Sequence, residues 1–274
     1  MTNSPADRHP APGVPVIPMI NWGGLRALYV KEVRRFFKVQ LQTVWAPAFS
    51  ALLLLLVFSI AFGRAGAQVM GVPFATFAAP GLIAMAIMQG AFNNASFSLM
   101  VGKMQGTIVD YLMPPLSSGE LLAALVGASM TRALLIGLVL WAAISFWPQV
   151  HVLPAVPIAA IWFALMGAAL LSLLGVLTSI WADKFDHNAT VTNFVVQPLS
   201  LLSGTFYSID GLHGAFRAIS HANPFFYVIS GFRYGFLGTS DSNVVLGATV
   251  LFVLNAALAA LCYVLLRTGW KLKN

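Results

Sequence analysis

Residues Ala51-Leu52-Leu53-Leu54-Leu55-Leu56-Val57-Phe58 carry no polar side chain and show no alternation. A membrane β-strand repeats apolar and polar residues with period two, so this run reads as helix. Followed outward, the apolar stretch covers about 44–63. About 20 residues at ~1.5 Å per residue span the ~30 Å hydrocarbon layer of a bilayer. Five further stretches of the same kind follow, at about 74–99, 121–147, 155–181, 189–209 and 244–267. Across the 274 residues 59% are hydrophobic and 8% charged, against roughly 25% charged in an ordinary soluble domain. Backbone polar groups in lipid must be paired within the chain, so the expected fold is all-α, a polytopic membrane protein with six transmembrane helices.

The formal charge of +7 is unevenly placed. With the N-terminus inside, the inner segments hold Arg8, Arg26, Lys31, Arg34, Arg35, Lys38, Lys103, Lys184, Arg267, Lys271 and Lys273, and the outer ones hold Arg64, Arg217 and Arg233. That bias puts both termini in the cytoplasm and explains the basic charge without a nucleic-acid partner. Trp45, Trp181 and Trp270 fall at the expected inner boundary and Trp147 at the outer one. Residues 1–22, rich in proline, read as a disordered tail without the pattern of a cleaved signal, ahead of a membrane domain over 23–270. The single cysteine, Cys262, lies within the last apolar stretch and reads as apolar filler.

Three segments between spans carry more information. Residues 24–42 place Leu25, Leu28, Tyr29, Phe36 and Val39 near one helical face with basic residues around the rest, the pattern of a helix in the inner interface. In the 100–120 loop, Ile108, Tyr111 and Leu112 share a face beside Lys103 and Asp110, and Pro114-Pro115 stops the helix. This loop is either a connector resting on the bilayer or a contact for a partner. Residues 224–237 are apolar but too short to cross, so they fit a re-entrant or interfacial hairpin on the outer side, with Asn223 and Pro224 opening it and Arg233 snorkelling to phosphates.

The absences bound function. No GxxxxGK[ST], HExxH, GxSxG or TVGYG occurs, so no catalytic residue, metal site or ATP-binding motif is expected in this chain. Asp183, Asp186 and His187 read as a solvated turn rather than metal ligands. All eight acids fall in loops, the tail or at span ends, which speaks against an ion-coupled carrier, and only Arg132 sits deep. Spans two and five are the most polar. Gln89, Asn93 and Asn94 in one, and Asn193, Gln197 and Ser203 in the other, are candidates for lining a substrate pathway, with interhelical glue as the alternative.

Several segments then combine in a recognisable order: Lys31-Glu32-Val33-Arg34-Arg35-Phe36, an Ala79-Pro80-Gly81 turn opening span two, Tyr111-Leu112-Met113-Pro114-Pro115-Leu116, Leu202-Ser203-Gly204-Thr205-Phe206-Tyr207-Ser208-Ile209 and Asn223-Pro224-Phe225-Phe226-Tyr227-Val228 with Gly231-Phe232-Arg233-Tyr234-Gly235. Over roughly 22–270 the chain resembles the permeases of ABC-2-type ABC exporters. The resemblance implies an inner-membrane homodimer served by separate ATPase subunits, which bind ATP and Mg on the permease's behalf. It also implies that the basic helix, including Lys31 and Glu32, and the loop with Ile108, Tyr111 and Leu112 contact the ATPase, and that residues 210–238 form the outer hairpin. Expected substrates are amphipathic: polysaccharides, lipid-linked glycans or hydrophobic drugs. Leu212-His213-Gly214 departs from the Leu-Pro pair common in relatives. The rival readings are an ATPase-independent channel or carrier and a non-transporting sensor or scaffold.

Overall fold

A computed structural model describes residues 20–63, 68–147, 150, 152–208 and 214–272. The expected tail up to residue 19 and the Leu212-His213 departure lie outside the described residues. Helix α1 runs Trp22–Phe37, capped by the Asn21 side chain, which accepts from the Gly24 amide at 2.9 Å. Asn21 and Trp22, expected in the tail, therefore belong to the folded domain. After a π-helical turn at Leu41–Trp45 the chain continues into α2 (Ala46–Gly63). A hairpin of β1 (Gln68–Val69) and β2 (Val72–Pro73) leads to α3 (Phe74–Met104). One turn, α4 (Val109–Leu112), separates α3 from α5 (Ser118–Ser145), and α6 (Pro157–Trp181) follows.

Among the described residues, five helices are long and apolar enough to cross a membrane: Leu41–Phe62, Phe74–Met104, Ser118–Ser145, Pro157–Trp181 and Val244–Thr268. The fifth expected span is shorter and less regular than the sequence indicates. It comprises α7 (Phe185–Val191), a π-helical turn at Thr192–Val196 and α8 (Gln197–Leu201). Helix ends at Leu201 with Leu202 as its C-cap, Gly204 takes φ of 76°, and residues 202–208 continue as irregular chain. Then come α9 (Ala215–Ala222), α10 (Pro224–Leu237) and α11 (Val244–Thr268).

The α3 helix is the hub, buried along nearly its whole length, while Leu41–Phe62 and α11 keep most of their apolar surface uncovered. In lipid such faces need no aqueous cover. Close packing of α6 on α3 depends on Gly175, where a Cβ would come 2.8 Å from the Phe92 carbonyl. The expected small-residue seam of α6 is buried: Ala164, Ala168 and Ser172 are at most 8% exposed.

Two expectations about the outer segments are corrected. Ala79-Pro80-Gly81 is not a turn, because Pro80 lies inside α3. Proline there removes a donor without ending the helix, and the missing Cβ at Gly81 leaves space against the Thr205 carbonyl (3.0 Å) and the Arg233 guanidinium (3.2 Å). Arg233 does not snorkel. It is 1% exposed, pairs with Asp241 at 2.9 Å, donates to the Gly204 carbonyl at 2.7 Å and lies 3.8 Å from the Phe77 ring centroid. A carboxylate eight residues on, in the α10–α11 turn, outcompetes any distant phosphate. Asn223 caps α10 through the Phe225 amide (3.0 Å), while its Nδ2 donates to the Leu199 carbonyl (2.7 Å), and Pro224 begins the helix, where no N–H is needed. Helix α10 packs against α6, α3 and α11 and buries most of its side chains there.

Candidate functional site

The α1 helix buries a stripe at four-residue spacing, Leu28, Glu32 and Phe36. Its middle member is an acid with no exposure. Burying a carboxylate is costly unless it is paired and hydrogen-bonded, and three elements meet that demand. The Tyr111 hydroxyl of α4 donates to Glu32 Oε1 at 2.9 Å. The Ser98 hydroxyl of α3 donates to Oε2 at 2.9 Å, and Arg35 pairs with the same oxygen at 2.9 Å. Lys31 stands 3.8 Å over the Tyr111 ring. Burial first, and then the Glu32 carboxylate, push the Tyr111 phenol well above its ordinary range, so the hydroxyl stays protonated and donating.

The network continues inward. Arg35 donates to Ser98 Oγ (2.8 Å) and the Asn94 carbonyl (3.1 Å), and Asn94 Nδ2 donates to Ser129 Oγ of α5 (3.0 Å). Arg132, one turn further along α5, reaches Asn94 Oδ1 (3.5 Å) and donates through Nη2 to the Thr43 carbonyl (3.1 Å). That carbonyl is open because the residue four positions on is Pro47, which has no N–H to offer.

The same end is closed by further ties. Ser117 and Glu120 form a capping box at the start of α5, and Glu120 also accepts from the Asn21 amide, fastening α1 to α5. Asp183 holds Lys103 at 3.0 Å and Lys271 at 3.4 Å, joining the ends of α3, α6 and α11. The hydrogen bond from Lys103 keeps the Asp183 carboxyl below its ordinary range, although at this exposed site the pairing stabilises little.

The sequence-predicted residues therefore divide. Lys31, Glu32 and Tyr111 meet in one junction, with Ile108 and Leu112 half-buried beside it. The apolar side chains that α4 leaves exposed are Val109 and Met113, 48% and 78% open, which the helical-face reading did not single out. Gln89 and Gln197 bond across spans two and five at 3.1 Å, and Gln89 lines a cavity of about 290 Å³ with Asn93. Asn94 belongs to the Glu32 network, Asn193 is exposed, and the Ser203 hydroxyl turns back to the Ser200 carbonyl and is fully buried. The sequence did not single out Arg35 or Ser129 for this junction, and Ser98 stood out only as one of the polar residues of span two. The position of Arg35, three residues after Glu32, was a further signal available in the sequence.

The sequence model of the ABC-2 type transporter family matches residues 24–237. The chain belongs to this family. It is 33% identical over 255 residues to the inner membrane transport permease YadH of Escherichia coli (strain K12), covering 92% of this chain and 98% of the relative. It is 26% identical over 248 residues to nodulation protein J of Rhizobium leguminosarum bv. viciae, covering 88% of this chain and 92% of the relative. Against nodulation protein J of Rhizobium meliloti (strain 1021) the identity is 25% over 232 residues, or 82% and 86% of the two chains. Membership makes the chain the multi-pass membrane subunit of an ABC transporter, a permease type whose family implies an ABC ATPase partner.

Proposed function

We propose that this ABC-2 permease exports an amphipathic substrate from the cytoplasm, driven by a separate ATPase. Two copies of the chain assemble in the inner membrane with both termini cytoplasmic. Each protomer spans six times, the fifth crossing in chain order being made by α7 and α8, with α9 and α10 as the outer re-entrant pair. ATP and Mg bind the partner, and this chain carries no catalytic or metal-binding role.

The observation that carries this reading is the hydrogen bond between Tyr111 and Glu32. It fastens the one-turn α4, at the end where the basic residues gather, to the amphipathic α1 and through Ser98 to the central α3. A push on α4 then moves α1 and α3 together, because a buried, fully paired acid resists separation from its partners. Rigid-body tilting of the spans follows, opening a path between protomers.

The test is affinity purification of the tagged full chain in mild detergent with mass spectrometry of what accompanies it. A stoichiometric soluble P-loop ATPase is the expected result. Its absence across several gentle detergents would remove the driving partner and favour an unassisted channel or carrier.

A further inference from the structure

Arg132 lies midway along α5 and is 8% exposed. Among the described residues its nitrogens reach only neutral oxygens: Nε and Nη2 the Thr43 carbonyl at 3.3 and 3.1 Å, and Nη1 the Asn94 carboxamide at 3.5 Å. Among the described residues it forms no ion pair, and Glu32, the acid of the adjoining network, is already matched by Arg35. Inside a bilayer a cation without a counter-charge is expensive, which marks a site that awaits one.

The guanidinium borders the cavity of about 290 Å³ between α2, α3 and α5. Two amides from α3 share the wall. Among the described residues, half-buried Asn93 makes no side-chain hydrogen bond, and the Gln89 side chain bonds only Gln197. The remaining wall is largely apolar, with Leu54 and Leu82 on it and Ser50 as a further polar group. Guanidinium and amide donors beside hydrocarbon suit a molecule with a negative oxygen head and an apolar chain.

We propose that this cavity binds the oxyanion headgroup of an amphipathic molecule, with Arg132 as counter-charge and Asn93 and Gln89 as hydrogen-bond donors. As an account of what is exported, this rests on the permease reading above. As a binding site it stands independently, since neither ATP nor a partner is needed to fill it. The occupant is either cargo in transit or a resident anionic phospholipid, and both present the same head.

The experiment uses the full chain in phosphatidylcholine nanodiscs, without ATPase, titrated with dodecyl phosphate, dodecyltrimethylammonium and inorganic phosphate. Dodecyl phosphate is expected to bind once per chain and at least about tenfold tighter than either of the others. Arg132→Gln should weaken it about tenfold or more, Arg132→Lys less, and Asn93→Leu a few-fold. Asn93→Leu and Arg132→Lys leave the buried charge in place, so they carry the test if Arg132→Gln does not fold. Equal affinity for the cationic amphiphile, equal affinity for inorganic phosphate, or unchanged binding in Asn93→Leu would each overturn the proposal. Repeating the titration in phosphatidylglycerol discs separates the two sources. Exclusion of dodecyl phosphate there identifies a resident lipid head, and undiminished binding identifies a cargo site. Failure to find an ATPase partner would leave these affinities unchanged, so the two claims fail separately.

Discussion

Asp241→Ala is expected to destabilise the folded chain by about 3–5 kcal/mol, the range for stripping one partner from a buried ion pair. Arg233 is 1% exposed and would keep its carbonyl contact to Gly204 but lose the one carboxylate it meets among the described residues. The Ser208 hydroxyl, which donates to the other Asp241 oxygen at 2.8 Å, loses that acceptor as well. The measurement is the thermal unfolding midpoint in detergent, together with the yield of monodisperse protein. Because the penalty comes from an unpaired charge, replacing both partners with apolar residues, Arg233→Met with Asp241→Leu, should recover a large part of the loss. A double variant as unstable as Asp241→Ala would mean that Arg233 holds α10 and residues 202–208 through its other contacts instead.

The second large effect concerns motion rather than folding. Glu32→Ala leaves Arg35 without its acid and Tyr111 without its acceptor, cutting α4 away from α1 and α3. Charged hydrogen bonds contribute about 1.5–3 kcal/mol, so coupling should fall roughly tenfold or more. Tyr111→Phe removes one hydroxyl and should cost less, and Lys31→Ala, which removes only a cation over the Tyr111 ring, least of all. A readout that needs no substrate is a cysteine at Ser50 on the cavity wall, with Cys262→Ala, labelled by maleimide in the ATPase complex. ATP-dependent change in its labelling rate should shrink in that order while hydrolysis persists. If all three variants respond to ATP like the parent, the junction does not transmit force. Tyr111→Asp is a poorer probe, because it would place a second carboxylate against buried Glu32.

Most helices could be read from hydropathy alone, since lipid demands long uninterrupted runs and 274 residues cannot hide them otherwise. The errors came where a local rule met a tertiary partner. Arg233 in a short apolar segment suggested snorkelling because Asp241 sits in a separate turn, and only folding brings the two to 2.9 Å. Pro80 suggested a turn, yet it sits within a helix whose surroundings, including Gly81, accept it. The Glu32 face was legible from Leu28 and Phe36 at four-residue spacing, but its burial was not. Its partners lie 66 and 79 residues further along the chain, and a carboxylate beside Arg34 and Arg35 looks like an ordinary surface acid. The cavity residues were half legible: polar content selected Gln89 and Asn93, whereas the uncompensated charge of Arg132 emerges only once every nearby acid is assigned.

The central claim is that the α4 end of this permease receives the stroke of an ATPase. A photoreactive amino acid at Met113, 78% exposed at the tip of α4, tests it directly when irradiated in intact cells. The account predicts a covalent adduct to a soluble P-loop ATPase, and no such adduct from the same probe at Val245, 75% exposed at the start of α11. Adducts from Met113 confined to lipid or to the permease itself would contradict it.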